Sequence, residues 1–180
     1  MGNIKPVLPV KLVVGILSAH DASFCLAEKQ LIRFFGKIDY RTGPMDFNFT
    51  DYYTNEMGHG LRRFFLSFKR LIQPGQLAGI KVITNKLERR LAKKALVLKR
   101  TVNIDPGYIT DAKLVLASTK DYSHRIYLSS GIYAETTLSY QKHSFRPRTW
   151  TYPDYACSEY VSVFNHIRDI FMSQRPGQSA

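Results

Sequence analysis

The chain has 180 residues, of which 44% are hydrophobic and 22% charged; this composition is typical of one globular domain and excludes wholesale disorder. Its formal net charge of +12 favours acidic partners such as nucleic acid, nucleotides or anionic lipid. No apolar run approaches the roughly 20 residues of a membrane helix, and Leu12–Leu17 is too short for the core of a signal peptide. We therefore expect one cytoplasmic domain over residues 1–180, with an ordered core of about 8–174.

The chain begins with a strand and a helix. Val10–Leu17 is a nearly continuous apolar run rich in Val and Ile, which predicts a buried strand. Apolar residues at helical spacing within Phe24–Phe35 predict the helix, and Gly36 is typical of the residue that ends one. Two short strands, Ile38–Arg41 and Asp46–Phe49, are expected next.

A polar loop over Asp51–Gly60 precedes a second strand and helix. Apolar and polar residues alternate in Arg62–Leu71, which predicts a half-buried strand with Phe64 and Phe68 in the core. Pro74 suits the first turn of a helix, because its missing N–H has no partner there in any case. That helix has an apolar stripe comprising Leu77, Ile80, Thr84, Leu87 and Leu91, and a basic outer face.

Two more strands and a last helix complete the chain around a hairpin. Val102–Ile104 predicts a strand that ends at the turn-forming tripeptide Asp105-Pro106-Gly107. Lys113–Ala117 is apolar and predicts a buried strand. Ser158 or Asp154 begins a C-terminal helix, whose inward residues are Tyr160, Val163, Phe164, Ile167 and Phe171.

The hairpin is predicted around Ser129-Ser130-Gly131, a three-residue connection with glycine at the position that needs positive φ. The register that this turn sets places Tyr127 opposite Tyr133. It also places Arg125 opposite Glu135, where the two side chains can form a cross-strand ion pair.

This order of elements predicts an α+β fold with a mixed, largely antiparallel sheet. With one short strand set aside, the leading elements fit a ferredoxin-like βαββαβ core, followed by a C-terminal hairpin and helix. No internal repeat or linker divides the chain.

The motifs of several enzyme classes are missing. No P-loop pattern occurs, and Gly58-His59-Gly60 lacks the third glycine of a dinucleotide fingerprint. No H-E-x-x-H, EF-hand loop or G-x-S-x-G occurs either. No His is followed two residues later by Ser or Thr, which excludes a two-histidine phosphoesterase. Cys25 and Cys157 lie far apart, so a disulfide framework or a cysteine zinc site is not expected.

Six short strings resemble a known family. They are Asp46–Tyr53, Asn103–Tyr108, Ala117–Asp121, His124–Leu128, Gly131–Glu135 and Trp150–Tyr155. Together they resemble a bacterial domain-of-unknown-function family (DUF4416) from about residue 9 to 174. Some members are labelled GTP-binding, which would here require a nucleotide site other than a P-loop. The resemblance implies family membership and no particular mechanism.

Polar side chains concentrate where the predicted strands end, and ligand sites on open sheets gather at such positions. Arg125 can bind a phosphate through two donors, and Lys120 can supply a point charge. His124 is suited to proton transfer at neutral pH. Asn103 and Tyr133 are further candidate ligand-binding residues.

Three acidic residues complete this candidate site. Glu135 and Asp105 are candidates for catalytic proton transfer beside His124. Asp51 and Asp105 could bind a magnesium ion that carries phosphates, because Mg²⁺ prefers oxygen ligands. The leading hypothesis is therefore a protein that binds or acts on a phosphate-bearing ligand such as a nucleotide; whether it is an enzyme stays open.

Structural explanations compete with these roles. Arg125 and Glu135 could form only a cross-strand ion pair, worth roughly 0.2–1 kcal/mol. Asp105 beside Pro106 is also typical of a turn, and His124 of a hydrogen-bonded structural histidine.

The alternative function is a noncatalytic RNA-binding module. Basic and aromatic residues are interleaved in Arg62–Phe65 and Phe145–Trp150, combining phosphate-binding cations with stacking surfaces. The residues of this hypothesis are Lys86, Arg89, Arg90, Arg63, Arg146, Arg148 and Trp150. A third hypothesis is a structural partner protein without a small ligand, which an exposed apolar patch would favour.

Overall fold

A nine-stranded antiparallel sheet is the centre of the computed structural model, which describes residues 2–94 and 100–175. The elements are β1 (Lys11–Ser18), α1 (Asp21–Phe35), β2 (Ile38–Arg41), β3 (Met45–Asp46), α2 (Thr54–Met57), β4 (Arg62–Phe68), α3 (Leu77–Lys94), β5 (Asn103–Ile109), β6 (Lys113–Ser118), β7 (Ile126–Ser129), β8 (Ile132–Gln141), β9 (Ser144–Pro147), α4 (Pro153–Ala156) and α5 (Ser158–Gln174). A 3₁₀ turn at Pro74–Gln76 leads into α3.

The sheet confirms the predicted α+β class. Its strand order is β2-β4-β1-β5-β6-β8-β7, with β3 beside β4 and β9 beside β8, and every pairing is antiparallel. The C-terminal hairpin and helix are present as β7–β8 and α5. The ferredoxin-like core stays a prediction. None of the described helices has the length and apolar character needed to cross a membrane.

Helices α1 and α3 cover one face of the sheet through a hydrophobic cluster. Alternate residues of β1 and β4 point to this face, and the predicted stripes of both helices are buried against them. The cluster includes Leu12, Val14, Ile16, Phe24, Leu31, Phe64, Leu66, Phe68, Ile80 and Leu87.

Helix α5 covers the opposite face, with its five predicted inward residues all buried. Val13 and Phe65 lie in this second cluster, so β4 is buried on both faces rather than on one. Arg63 and Ser67 alternate with Phe65 and are buried as well. The prediction of a half-buried β4 is wrong because the alternation describes one strand alone, while α4 and α5 come from a stretch far along the chain.

The predicted turn at Asp105-Pro106-Gly107 is wrong, because β5 continues through it to Ile109. Strand β5 pairs with β6 only from Gly107 onward. Pro106 therefore lies just before this ladder begins, a position at which proline is tolerated. Gly107 is needed for close packing, since a Cβ there would lie 2.4 Å from the carbonyl oxygen of Val115.

Two smaller differences concern the segment between β2 and β4. The strand predicted at Asp46–Phe49 is limited to Met45–Asp46, and the predicted loop Asp51–Gly60 contains the helical turn α2. Phe47 and Met57 are buried in a small cluster there, so local apolar packing favours a compact loop over an extended strand.

The predicted hairpin register is confirmed only in its middle, where Ile126 pairs with Ala134 and Tyr127 with Tyr133; next to the turn Ser129 takes the place predicted for Leu128 opposite Ile132, and Arg125 lies just before β7, outside the ladder. Tyr127 pairs with Tyr133 across the ladder, and their rings lie 5.4 Å apart. Gly131 has a φ of 72°, and Ser130 also has a positive φ of 55°. The turn is therefore tighter than the predicted three-residue connection, and an irregularity between Tyr127 and Ser129 compensates for it.

Candidate functional site

Strand ends from across the sheet meet at one end of it, which we call the upper end and define by Ser18, Arg62, Asn103, Ser118 and Tyr133. Strands β1 and β6 end there, whereas β4, β5 and β8 begin there. Polar side chains near this end of the sheet form two groups.

The first group is a buried charge network built around Arg63. Its guanidinium donates from Nη1 to Asp105 Oδ2 at 3.1 Å and from Nη2 to Asp154 Oδ2 at 3.2 Å. Lys81 approaches from α3, with Nζ 3.4 Å from Asp105 Oδ1 and 2.8 Å from the carbonyl oxygen of Ile104. One buried arginine thus joins a carboxylate of β5 to a carboxylate of α4.

The network continues through Arg100 and Asn103. Asn103 donates to Asp105 and accepts from Arg100. Arg100 also donates to Glu88 Oε2 at 2.6 Å, and Glu88 Oε1 accepts from the backbone N–H of Ile104 at 2.7 Å. The predicted site residues Asn103 and Asp105 therefore lie together in this network.

Burial and the neighbouring positive charges shift the pKa values of the network's carboxyl groups in opposite directions. Burial favours the neutral form of Asp105, but the positive charges of Lys81 and Arg63 outweigh it and lower the pKa of this carboxyl. For Asp154, burial outweighs the attraction of Arg63 and raises the pKa. Burial likewise raises the pKa of Glu88. Asp105 is consequently ionised at neutral pH and held by cations, which does not suit a general acid.

Packing around Arg63 leaves some polar atoms without partners. Among the described residues, Arg63 Nε and the hydroxyl groups of Tyr155 and Tyr160 are buried and have no hydrogen-bond partner. Gly15 makes room for this arrangement, because a Cβ at that position would lie 3.1 Å from the Tyr155 hydroxyl. The Arg63 guanidinium also lies over the rings of Phe47 and Tyr155.

The second group, which we call the rim cluster, comprises Ser118, Lys120, His124, Arg125, Glu135 and Tyr152. Arg125 Nε donates to Glu135 Oε2 at 2.7 Å, which confirms the predicted ion pair. Its Nη1 donates to Ser118 Oγ and to the carbonyl oxygen of Lys120, and its Nη2 donates to the Tyr152 hydroxyl. Arg125 therefore holds the loop between β6 and β7 in place.

His124 shares the same carboxylate, with Nε2 3.1 Å from Glu135 Oε2. Its ring stacks on Trp150 at 5.4 Å between centroids and on Tyr122 at 6.0 Å. The Trp150 ring is fixed by Nε1, which donates to the carbonyl oxygen of Thr136 at 2.9 Å. Three planar rings consequently form one row along the rim.

Cations lie over the rings of this region. The guanidinium groups of Arg125 and Arg148 lie 4.7 Å from the Tyr122 ring and 5.3 Å from the Trp150 ring. The Lys120 ammonium lies 4.7 Å from the ring of Tyr52. Lys120 and Arg148 are exposed, and neither has an acidic partner within residues 2–94 and 100–175.

Two short segments connect the network to the rim cluster. Tyr152 accepts a hydrogen bond from Arg125, and Asp154, two residues later, is the partner of Arg63. Tyr52 lies under Lys120, whereas burial and the charge of Asp105 raise the pKa of the adjacent Tyr53. The two groups are thus neighbours at the upper end of the sheet, one buried and the other at the surface.

Within the described part of the chain, Asp51 forms no hydrogen bond or ion pair with the other predicted site residues, although the adjacent Tyr52 contacts Lys120. Asp51 is exposed and lines a polar pocket of about 280 Å³ with Thr54 and His59. Asp105 has both carboxylate oxygens directed at cations, which does not favour a magnesium ligand. No group of three His, Cys, Asp or Glu within the described part of the chain is placed to hold a metal ion.

The residues of the RNA hypothesis are also divided. Arg63 is fully buried and cannot contact RNA. Lys86, Arg89 and Arg90 are exposed on α3, whereas Arg146 belongs to β9, which packs with α5 on the other face. Only Arg148 and Trp150 of this set lie at the rim.

Sequence reasoning missed several residues of this surface. Tyr52, Tyr152 and Asp154 lie in the strings that resemble the family, but the sequence alone did not place any of them in the candidate site. Tyr122 gave no such signal, because its contact with His124 depends on the folded loop.

The chain belongs to the family described as Domain of unknown function (DUF4416), which it matches over residues 8–171. No curated protein and no solved structure matches the chain. All residues of the buried charge network and the rim cluster lie within the matched range.

Proposed function

We propose that this protein binds a phosphate-bearing ligand, such as a nucleotide, at the rim cluster. The observation that carries this proposal is the pairing of two exposed cations, which have no acidic partner among the described residues, with aromatic rings: Lys120 with the exposed Tyr52, and Arg148 with the half-buried Trp150. Cations without acidic partners attract phosphate, and rings beside them offer stacking surfaces for a base.

A continuous line of contacts joins these two pairs. Arg125 binds the carbonyl oxygen of Lys120 and lies over Tyr122, whose ring begins the row that ends at Trp150. The rings that a ligand could reach include Tyr52, Tyr122 and Tyr152, which are 61%, 49% and 44% exposed. The surface therefore suits a ligand that has both a planar ring and a negative charge.

Arg125 has a different role from the one that the sequence suggested. Its three nitrogens donate to Glu135, Ser118, Lys120 and Tyr152, and its side chain is only 2% exposed. In this proposal Arg125 is a positioning residue that fixes the loop, and Lys120 supplies the charge that contacts phosphate.

His124 gives the same surface a group for proton transfer. Because Nε2 faces Glu135, a donor hydrogen on Nε2 leaves Nδ1 as the proton-accepting nitrogen.

Calorimetric titration with the four common nucleoside monophosphates, inorganic phosphate and free nucleosides tests the proposal. At least one nucleotide should bind more tightly than either inorganic phosphate or its nucleoside. Lys120→Ala should weaken this binding about tenfold or more, because one hydrogen bond to a charged group is worth roughly 1.5–3 kcal/mol. Tyr52→Leu should weaken nucleotide binding and leave phosphate binding unchanged.

Lys29→Ala is the matched control, because Lys29 is exposed on α1 and has no side-chain partner among the described residues. It removes the same charge at a distance from the rim. Equal losses in Lys29→Ala and Lys120→Ala would mean that net charge alone attracts the nucleotide, and would contradict a site at the rim.

Single-stranded RNA is a second candidate, favoured by the position of the basic helix. Glu88 contacts Ile104 near the upper end, so the exposed residues Arg89 and Arg90 lie toward the same end as the rim. If RNA spans both surfaces, replacing Lys86, Arg89 and Arg90 with Ala should reduce the salt dependence of binding, at roughly 0.7 per lost contact. An unchanged slope would restrict binding to the rim.

A further inference from the structure

The polar pocket that Asp51 lines lies between segments 47–51 and 58–61 and has a volume of about 280 Å³. The backbone N–H of Phe47 donates to the carbonyl oxygen of Leu61 at 2.9 Å and joins the two segments. Phe47 and Leu61 are buried in one hydrophobic cluster with Met57. The inner wall of the pocket is therefore fixed to the fold.

Two turns shape the rest of the pocket. Gly58 and Gly60 have φ values of 83° and 69°, in the region that favours glycine, and they flank His59 on one side. On the other side, the backbone N–H of Thr54 donates to the carbonyl oxygen of Asp51 at 3.0 Å. This hydrogen bond fixes the turn that presents the Asp51 side chain.

The side chains of the pocket suit a neutral ligand that is rich in hydroxyl groups. Within the described part of the chain, the lining includes an amide, two hydroxyl groups, an imidazole and one carboxylate, but no Lys or Arg: Asn48, Thr50, Thr54, His59 and Asp51. A phosphate in this pocket would meet a negative charge and no cation. A cationic ligand is disfavoured by the net charge of +12.

Asp51 has the chemistry that recognises a diol. An ionised carboxylate only accepts hydrogen bonds, and its two oxygens can accept from both hydroxyl groups of a vicinal diol. Asp51 is exposed, and its carboxylate has no ion-pair partner within residues 2–94 and 100–175. No described cation of the chain therefore competes for its oxygens.

The pocket adjoins the proposed phosphate site through a single residue. Tyr52 follows Asp51 in the chain, and its ring lies 4.7 Å from the Lys120 ammonium. Consecutive Cα atoms are about 3.8 Å apart, so the carboxylate and the ring that Lys120 contacts belong to one short segment. A ribonucleotide has a matching arrangement, because its phosphate and its vicinal diol are attached to the same ribose.

We propose that Asp51 binds the 2′,3′-diol of a ribose whose phosphate is bound by Lys120. The ligand of the rim cluster is then a sugar phosphate with a vicinal diol, such as a ribonucleotide. This inference rests on the proposed phosphate site and identifies the part of the ligand that enters the pocket. It makes Asp51 the residue that distinguishes ribonucleotides from deoxyribonucleotides, since a missing 2′-hydroxyl leaves one carboxylate oxygen without its donor.

Calorimetric titration of the full chain with the four common nucleoside 5′-monophosphates and their 2′-deoxy counterparts tests this selectivity. The ribonucleotide that binds most tightly should have a dissociation constant about tenfold lower than that of its 2′-deoxy counterpart. Asp51→Asn should weaken binding of this ribonucleotide about tenfold and remove most of the difference between the two forms. The melting temperature should not change, because Asp51 is exposed.

Asp121→Asn is the matched control. Asp121 is exposed, follows Lys120 directly and does not line the pocket. Loss of a negative charge near a phosphate site strengthens phosphate binding by itself. Asp121→Asn should therefore bind the ribonucleotide as tightly as the wild type or more tightly, and keep the preference for the ribo form. Weaker binding in Asp51→Asn is opposite in sign to this effect, so it identifies a lost contact.

Ribose 5-phosphate distinguishes two sources of the same chemistry, because it carries the diol and the phosphate without a base. Binding as tight as that of the nucleotide, with the same loss in Asp51→Asn, would support the diol site and make a simple sugar phosphate the ligand. Weaker binding, again reduced in Asp51→Asn, would support the diol site in a nucleotide whose base adds affinity.

Three results would overturn the inference. If Lys120→Ala weakens nucleotide binding but the ribo and 2′-deoxy forms bind equally, the phosphate site stands and the diol site is wrong. If Asp51→Asn binds the ribonucleotide as tightly as the wild type, Asp51 does not contact the ligand. If neither the nucleotides nor ribose 5-phosphate bind, the proposed function itself is contradicted, and the diol site with it.

Discussion

The two faces of the central strands β1 and β4 are both buried, but they are built from different residues. Toward α1 and α3, most of the buried residues of these strands are aliphatic or phenylalanine, and Ser18 at the end of β1 is a buried polar exception. Toward α4 and α5, the same strands contribute a fully buried lysine, a glycine and a fully buried arginine: Lys11, Gly15 and Arg63. The two faces of β1 and β4 are therefore both buried, but different physical interactions stabilise them.

The apolar face gains stability in proportion to the area removed from water, and similar side chains can replace one another there. The α5 face depends on specific partners. Arg63 needs Asp105 and Asp154, and Lys11 needs Asp39, because an unpaired buried charge is costly. Near Arg63 this face also adjoins the rim cluster. The polar face thus connects the interior to the candidate site, whereas the apolar face supports it.

The largest effect should come from breaking the pairing of Arg63. Arg63→Met should destabilise the fold by about 3–5 kcal/mol, because Asp105 and Asp154 lose their shared partner inside the protein. Urea unfolding followed by circular dichroism measures this loss. The adjacent Arg62 is the matched control: its partner Asp21 is exposed, so Arg62→Met should cost less than about 1 kcal/mol.

Equal losses for the two arginines would contradict the difference between the faces. A large loss for Arg63→Met with an unchanged urea dependence of the unfolding free energy would confirm that the change acts on the native state.

The lysine at the lower end of the same face gives a second test. Lys11 donates to Asp39 and to Gln174 Oε1, and burial lowers its pKa although Asp39 opposes this effect. Lys11→Met alone should cost about 1–3 kcal/mol, because Asp39 loses a charged partner. Lys11→Met combined with Asp39→Leu should restore stability to within about 1 kcal/mol of the wild type.

A double variant as unstable as the sum of both single changes would mean that the charges themselves are required. Thermal unfolding of the three variants at one pH is sufficient for this comparison.

The sequence predicted best the features that depend on residue spacing within single elements. These are the apolar stripes of α3 and α5 and the pairing of Tyr127 with Tyr133 in the hairpin. Arg63 shows the limit of such patterns. Its burial depends on Asp154, which lies 91 positions away, and no local spacing reports that distance.

At the candidate site, too, the sequence predicted contacts within one element better than contacts between distant segments. His124, Arg125 and Glu135 were predicted together because they share one hairpin. Asp51 and Asp105 were joined by their predicted positions at strand ends and by their oxygen ligands, and in the structure Asp51 lines a pocket that Asp105 does not line. The row of Tyr122, His124 and Trp150 depends on two loops folding against each other, which single-element periodicity does not describe.

A pH titration tests the charges at the upper end. The pKa of Asp105 is lower in the folded protein than its ordinary value of 3.8, so the ionised carboxylate stabilises the fold above that pH. This contribution is lost as the pH falls from about 3.8 through the folded pKa. Asp105→Asn should therefore cost about 1–3 kcal/mol at neutral pH, and the cost should shrink below pH 3.8.

A cost that stays constant down to acidic pH would show that Asp105 stabilises the network through hydrogen bonds alone. Asn103 is the informative control, because Asn103→Ala removes a hydrogen bond to the same carboxylate without removing a charge.

The smallest loss of stability is expected from a substitution on the apolar face, and this loss should be independent of pH. Ile16 is fully buried between β1 and the helices α1 and α3, and its cluster contains only hydrophobic residues. Ile16→Val removes one methylene group and should cost about 0.5–1.5 kcal/mol, because the surrounding side chains relax only partly into the space.

Since no titratable group of the cluster changes, the cost should be the same at neutral pH and below pH 3.8, where the cost of Asp105→Asn declines. Chemical unfolding of both variants under the same two conditions makes the comparison direct. A cost of Ile16→Val that followed pH would mean that packing on the apolar face is coupled through β1 to the charges around Arg63, and the two faces would then act as one unit.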